Sequence, residues 1–144
     1  MKFFLLLLGL LSLPLTLAGC GSFSCTELGC ADQLNVTLKG FASTYAADLP
    51  LTINLAVDGD SALDATVDGV TCTSCDLAGD GSVSLQIGVA FANEDGHAVH
   101  VLVKGKDGKT LFDESKPLTI TSSEPNGSGC GPTCHQPNAV SFAP

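Results

Sequence analysis

Cysteine supplies most of the reactive chemistry in this 144-residue chain. Cys72-Thr73-Ser74-Cys75 has the spacing of a dithiol redox motif. Such motifs work when the first thiolate is stabilised, typically at a helix N-terminus. Here the motif runs into Asp76-Leu77-Ala78-Gly79-Asp80-Gly81, which is acidic and turn-forming. Negative neighbours raise a thiol pKa, the wrong direction for redox work. The expectation is a structural Cys72–Cys75 bridge, which closes only if the four residues turn, since an extended i to i+3 spacing of about 10 Å is beyond disulfide reach. Cys130-Gly131-Pro132-Thr133-Cys134-His135 has the order of a c-type haem attachment site, but with three intervening residues in place of two. A second axial ligand would have to come from His97 or His100, because the only Met is Met1. A stapled loop leading into a last strand is the expectation, with no cofactor.

Metal binding is not expected either. Zinc held by the two cysteine pairs needs reduced thiolates. His97 and His100 are three apart, so on one strand they face opposite sides of a sheet. His97 shares the parity of Val99 and Val101, a strand-end position on the core side, while His100 faces solvent. Asp58, Asp60, Asp64 and Asp68 lack the D-x-D-x-D-G loop with its terminal Glu that calcium favours. Catalysis has no motif: no G-x-S-x-G, no H-E-x-x-H, and no Arg for an anion clamp. Six Lys against 15 Asp+Glu argue against nucleic acid and against adsorption to anionic lipid.

Period-2 alternation dominates the elements that would carry these residues. Leu34, Val36 and Leu38 alternate with polar residues, as do Leu51, Ile53, Leu55 and Val57. Val83, Leu85, Ile87, Val89 and Phe91 form the longest set; Val99, Val101 and Val103 follow, then Leu111, Leu118 and Ile120, and finally Val140 and Phe142. Apolar residues two apart share one strand face and can meet in a common core. The stretch from Ala42 to Ala47 is too short to predict a helix. Asp58-Gly59, Asp68-Gly69, Asp80-Gly81, Asp95-Gly96 and Asp107-Gly108 fall between or at the ends of the runs, and Asp-Gly supplies the positive φ of tight hairpins. Short strands at this interval predict an all-β, immunoglobulin-like antiparallel β-sandwich of seven or eight strands, stapled by disulfides and without the Cys–Trp–Cys hallmark.

The N-terminus predicts export. Lys2 precedes the mostly apolar run Phe3 to Leu13, too short to span a bilayer as a permanent helix. It ends in Leu17-Ala18-Gly19-Cys20, which resembles the lipobox of bacterial lipoproteins. The resemblance implies diacylglyceryl transfer to the Cys20 thiol, cleavage before Cys20 and acylation of the new amino group. It implies membrane attachment through lipid, with Gly21 favouring the outer membrane over the inner. Residues 1–19 then form a signal peptide, 20–30 a lipidated start and short tether, and 31–144 one domain. Five residues from Cys20 to Cys25 reach about 17 Å, holding the domain close to the membrane. Loss of Lys2 leaves five Lys against 15 Asp+Glu, a formal charge of −10.

Cysteine parity agrees. Seven cysteines leave one odd thiol; assigning Cys20 to lipid leaves Cys25, Cys30, Cys72, Cys75, Cys130 and Cys134, an even set that reads as a disulfide framework in an oxidising compartment. Proximity favours Cys72–Cys75 and Cys130–Cys134, with Cys25–Cys30 by elimination, among the 15 pairings six cysteines allow. Pro125-Asn126-Gly127-Ser128-Gly129-Cys130-Gly131-Pro132-Thr133-Cys134-His135-Gln136 resembles a C-terminal signature of small secreted bacterial β-sandwich lipoproteins of no established activity; it implies a fold and a location and carries over no catalytic residue. The resulting expectation is a non-catalytic, lipid-anchored binding or structural component of the cell envelope, its partner another envelope protein. An exported redox or haem protein using the paired cysteines, and a calcium-dependent adhesin, are the alternatives.

Overall fold

The structure, a computed structural model, describes residues 29–30 and 33–144. The leader, Cys20 and Cys25 lie outside the described residues. Eleven strand segments follow in chain order: β1 (Gln33–Leu38), β2 (Leu51–Val57), β3 (Asp60–Val67), β4 (Cys72–Thr73), β5 (Asp76–Leu77), β6 (Val83–Gly88), β7 (Ala98–Lys104), β8 (Thr110–Pro117), β9 (Ile120–Ser123), β10 (Cys134–Pro137) and β11 (Val140–Phe142). One helical turn, α1 (Phe41–Thr44), and a 3-10 turn, Ala46–Asp48, join β1 to β2. Among the described residues no helix is long and apolar enough to cross a membrane.

Alternation builds the sandwich. In β1 it buries Leu34, Val36 and Leu38; in β6, Val83, Leu85 and Ile87; in β2, Leu51, Ile53 and Leu55; in β7, Val99, Val101 and Val103. These sets belong to two sheets yet form one core cluster. The first sheet has the order β11-β1-β6-β5 and the second β4-β3-β2-β7-β8, with β9 and β10 forming a separate hairpin. With β1 as strand B, the orders β1-β6-β5 and β4-β3-β2-β7-β8 reproduce B-E-D and C″-C′-C-F-G, the variable-type immunoglobulin arrangement. The expected all-β sandwich is therefore observed. The two main sheets hold nine strands in place of seven or eight because β3, whose first half is exposed, and the two-residue β4 and β5 carry little apolar periodicity.

The position of strand A is filled from the other end of the chain. β11 runs parallel to β1, with Val36 opposite Val140 and Leu38 opposite Phe142. Phe142 is buried and meets Phe112 edge-on at 6.0 Å between ring centroids, while Phe112 meets Phe41 at 4.9 Å. Lys116 in β8 closes this side: its Nζ donates to the Ser141 carbonyl at 2.7 Å and lies 4.7 Å above the Phe142 ring. A lysine placed this way blunts an edge strand that would otherwise pair with another chain.

Two bridges join pairs of cysteines that both lie among the described residues. Cys72–Cys75 forms as expected, with Ser74 at φ 61° supplying the turn. It sits where the chain leaves the second sheet through β4 and enters the first through β5. The other pairing corrects the sequence expectation. Cys30 bonds Cys134, 104 residues away, so neither Cys130–Cys134 nor Cys25–Cys30 forms. Cys134 opens β10 opposite Ser123, and at 1% exposure it points inward. Its Cα lies 5.3 Å from that of Cys30, just ahead of β1. Proximity in sequence misleads because the β9–β10 pairing turns Cys134 inward, where it meets Cys30. Cys130 is itself disulfide-bonded.

Candidate functional site

An open groove of about 550 Å³ crosses the outward face of the second sheet near the β2–β3 turn. Cross-strand register creates it. Ser61, Ala56, His100 and Ser115 stand in one row across β3, β2, β7 and β8, and Asn54 opposite Leu102 belongs to the next. Ala56, Ala98, Gly59 and Gly96 keep the floor low; Asn54, Ser61, His100 and Ser115 give it polar walls. The Asp58-Gly59 turn closes one end, with both residues at positive φ (54° and 88°) as a two-residue type I′ hairpin requires.

Each of two histidines has its own carboxylate. His100 Nε2 lies 2.7 Å from Asp113 Oδ1, a diagonal contact from β7 to β8. His97 Nδ1 lies 2.6 Å from Asp58 Oδ2, and its Nε2 lies 3.0 Å from Asn93 Oδ1. The Asp95 N–H also donates to Asn93 Oδ1, which identifies that atom as the carbonyl oxygen. Both ring nitrogens of His97 therefore face acceptor oxygens. Phe91 packs edge-on against the ring at 4.8 Å, and the side chain is only 16% exposed. Asp58 Oδ1 accepts the Ala98 N–H at 2.9 Å. The hydrogen bond from His97, then that from Ala98, holds the Asp58 carboxyl below the usual carboxylate range against a smaller opposing effect of desolvation. These contacts fix the connection between β6 and β7 to the end of β2 and shape the groove wall.

The other candidates separate. Asp64 Oδ1 accepts from the Asn54 amide at 2.7 Å, and Asp68 turns back on Val70 and Thr71. Among the described residues no three His, Cys, Asp or Glu side chains come together to hold a metal. Cys72, Cys75, Cys130 and Cys134 are all in disulfides, so no thiol at these positions is free to act as a nucleophile, a ligand or a haem attachment point. His135 pairs with Ser122 at 2.8 Å across the β9–β10 hairpin. His97 and His100 stand as parity predicts, one beside the core and one outward. Sequence reasoning missed Asn54, Ser61, Asp113 and Ser115, which strand register brings to the groove or to His100, and Asn93, which the loop before β7 brings to His97.

The chain matches no known protein family, no curated protein and no solved structure. Its function must be read from its own residues. The groove is open, with a floor of small residues, polar walls and one carboxylate, Asp58, at one end, and both imidazoles are already engaged. Its walls offer hydrogen-bonding groups from Asn54, Ser61 and Ser115.

Proposed function

We propose that this protein is an exported lipoprotein, anchored in the bacterial envelope through acylated Cys20 and acting as a non-catalytic binding module. One observation supports the reading above others: the five described cysteines are all oxidised, which leaves one odd sulfur between Cys20 and Cys25, and the lipobox assigns it to Cys20. Disulfides persist in exported proteins and are rare where thioredoxin and glutathione operate. Two or more acyl chains give stable attachment where one does not. The rigid sandwich then presents its outward sheet face and its loops to another envelope protein, and loops on a rigid scaffold commonly carry recognition. By the sorting tendency of bacterial lipoproteins, Gly21 after the lipidated cysteine favours the outer membrane over the inner. Metabolic labelling with radiolabelled palmitate tests the anchor: the wild type takes up label and sediments with membranes, and Cys20→Ser does neither. A wild type without label, or a Cys20→Ser variant that still partitions to membranes, overturns it.

A further inference from the structure

We propose that the loop end of the sandwich remote from Cys30 holds a docking groove for a partner segment that presents Lys or Arg beside an aliphatic residue. The groove, about 410 Å³, opens between the β1–β2 connection, the β3–β4 turn and the β5–β6 turn. β1 starts beside Cys30 and runs toward it, and six residues at about 3.3 Å each separate the two ends by roughly 20 Å. Leu49, Leu77 and the alanines at 42, 46 and 78 give it an aliphatic lining. Val70 stands at its rim, 86% exposed, the one exposed large hydrophobic side chain among the described residues.

Both walls are preformed. Asp68 Oδ1 accepts the N–H groups of Val70 and Thr71 at 2.9 and 2.7 Å, and its Oδ2 accepts the Thr71 hydroxyl at 2.8 Å. Opposite, Asp80 Oδ1 accepts the Ser82 N–H at 2.8 Å, and the Ala42 N–H donates to the Gly81 carbonyl at 2.9 Å. A groove already ordered when empty loses little conformational freedom on binding.

Charge selects the occupant. The Asp68 and Asp80 carboxylates stand in the two turns that wall the groove, no lysine adjoins a lining residue in sequence, and Asp76 faces the other side of the sheet. The Lys106 ammonium, nearby, is held by the Ala47 carbonyl at 2.8 Å. An aliphatic surface edged by carboxylates matches a long side chain with an apolar stem and a cationic head. The chain's own net charge of −9 opposes a second copy in this place.

The inference goes beyond the anchored-module reading and survives its failure, since the groove is measured whether or not Cys20 carries lipid. The test is amide NMR of the full processed protein titrated with Ac-Val-Lys-Leu-Lys-amide and, separately, Ac-Val-Glu-Leu-Glu-amide. The basic peptide shifts the amides of Gly69, Val70, Ala78 and Gly79; the acidic one does not. Val70→Ser weakens the response roughly fivefold, as loss of one aliphatic contact implies, and Asp80→Asn, which keeps an acceptor for the Ser82 N–H, roughly threefold. Equal shifts with both peptides, shifts confined to the sheet-face groove, or no shifts overturn the proposal. Concentration-dependent shifts at these amides without peptide assign the groove to a second copy and overturn it equally.

Discussion

Phe142→Ala tests whether the chain's last strand completes the sandwich. Phe142 is 1% exposed, sits edge-on to Phe112 and lies beneath the Lys116 ammonium. Removing a buried phenyl ring costs about 3–5 kcal/mol through lost transfer energy and the cavity left behind. The cation–π contact adds about 0.5–1 kcal/mol. For a domain of this size each kcal/mol moves the melting point by about 4 °C, so a fall of roughly 12–24 °C is expected. Urea unfolding with the disulfides intact reads the free energy directly, and Lys116→Met, which keeps the stem and removes the charge, should lose only about 1 kcal/mol. A Phe142→Ala loss below about 1 kcal/mol would refute the placement of β11 in the parallel slot beside β1.

Three further outcomes follow from the same structure. Gly81→Ala should destabilise by at least about 2 kcal/mol in urea melts, because φ is +80° and an added Cβ lies 2.6 Å from the Ser43 backbone nitrogen. Replacing Cys72 and Cys75 together by Ser should cost no more than about 2 kcal/mol and leave the circular dichroism unchanged, since the bridge closes only a short loop. Asp58 has a folded pKa below its unfolded value near 3.9, so its contribution is present above that value and is lost as pH falls through the folded one. Asp58→Asn should therefore be less stable than wild type by about 1 kcal/mol near pH 7, a modest figure because the carboxylate is 41% exposed, with the gap closing below about pH 4.

Legibility followed burial. Where one face of a strand is buried, alternation names it: Leu34, Val36 and Leu38, or Val99, Val101 and Val103, are core residues in sequence and in structure alike. The Asp-Gly turns are legible for an equally local reason, and all five glycines adopt positive φ. Phe41 was not legible, although it is fully buried, because its single helical turn is too short for a 3.6-residue period. β3 carries Leu63, Ala65 and Val67 in a largely exposed segment, too weak a pattern to mark a strand. The groove was legible only in part. Parity places His100 outward, but its partner Asp113 depends on the β7–β8 register. The Cys30–Cys134 bridge depends on where β10 returns, which no local spacing encodes.

Intact-mass spectrometry of the protein purified from envelopes, alkylated without prior reduction, tests the central claim most directly. The account predicts a chain beginning at an acylated Cys20, with no alkylating reagent taken up by the other six cysteines. A bare thiol at that terminus, or an alkylated cysteine among the six, would contradict it.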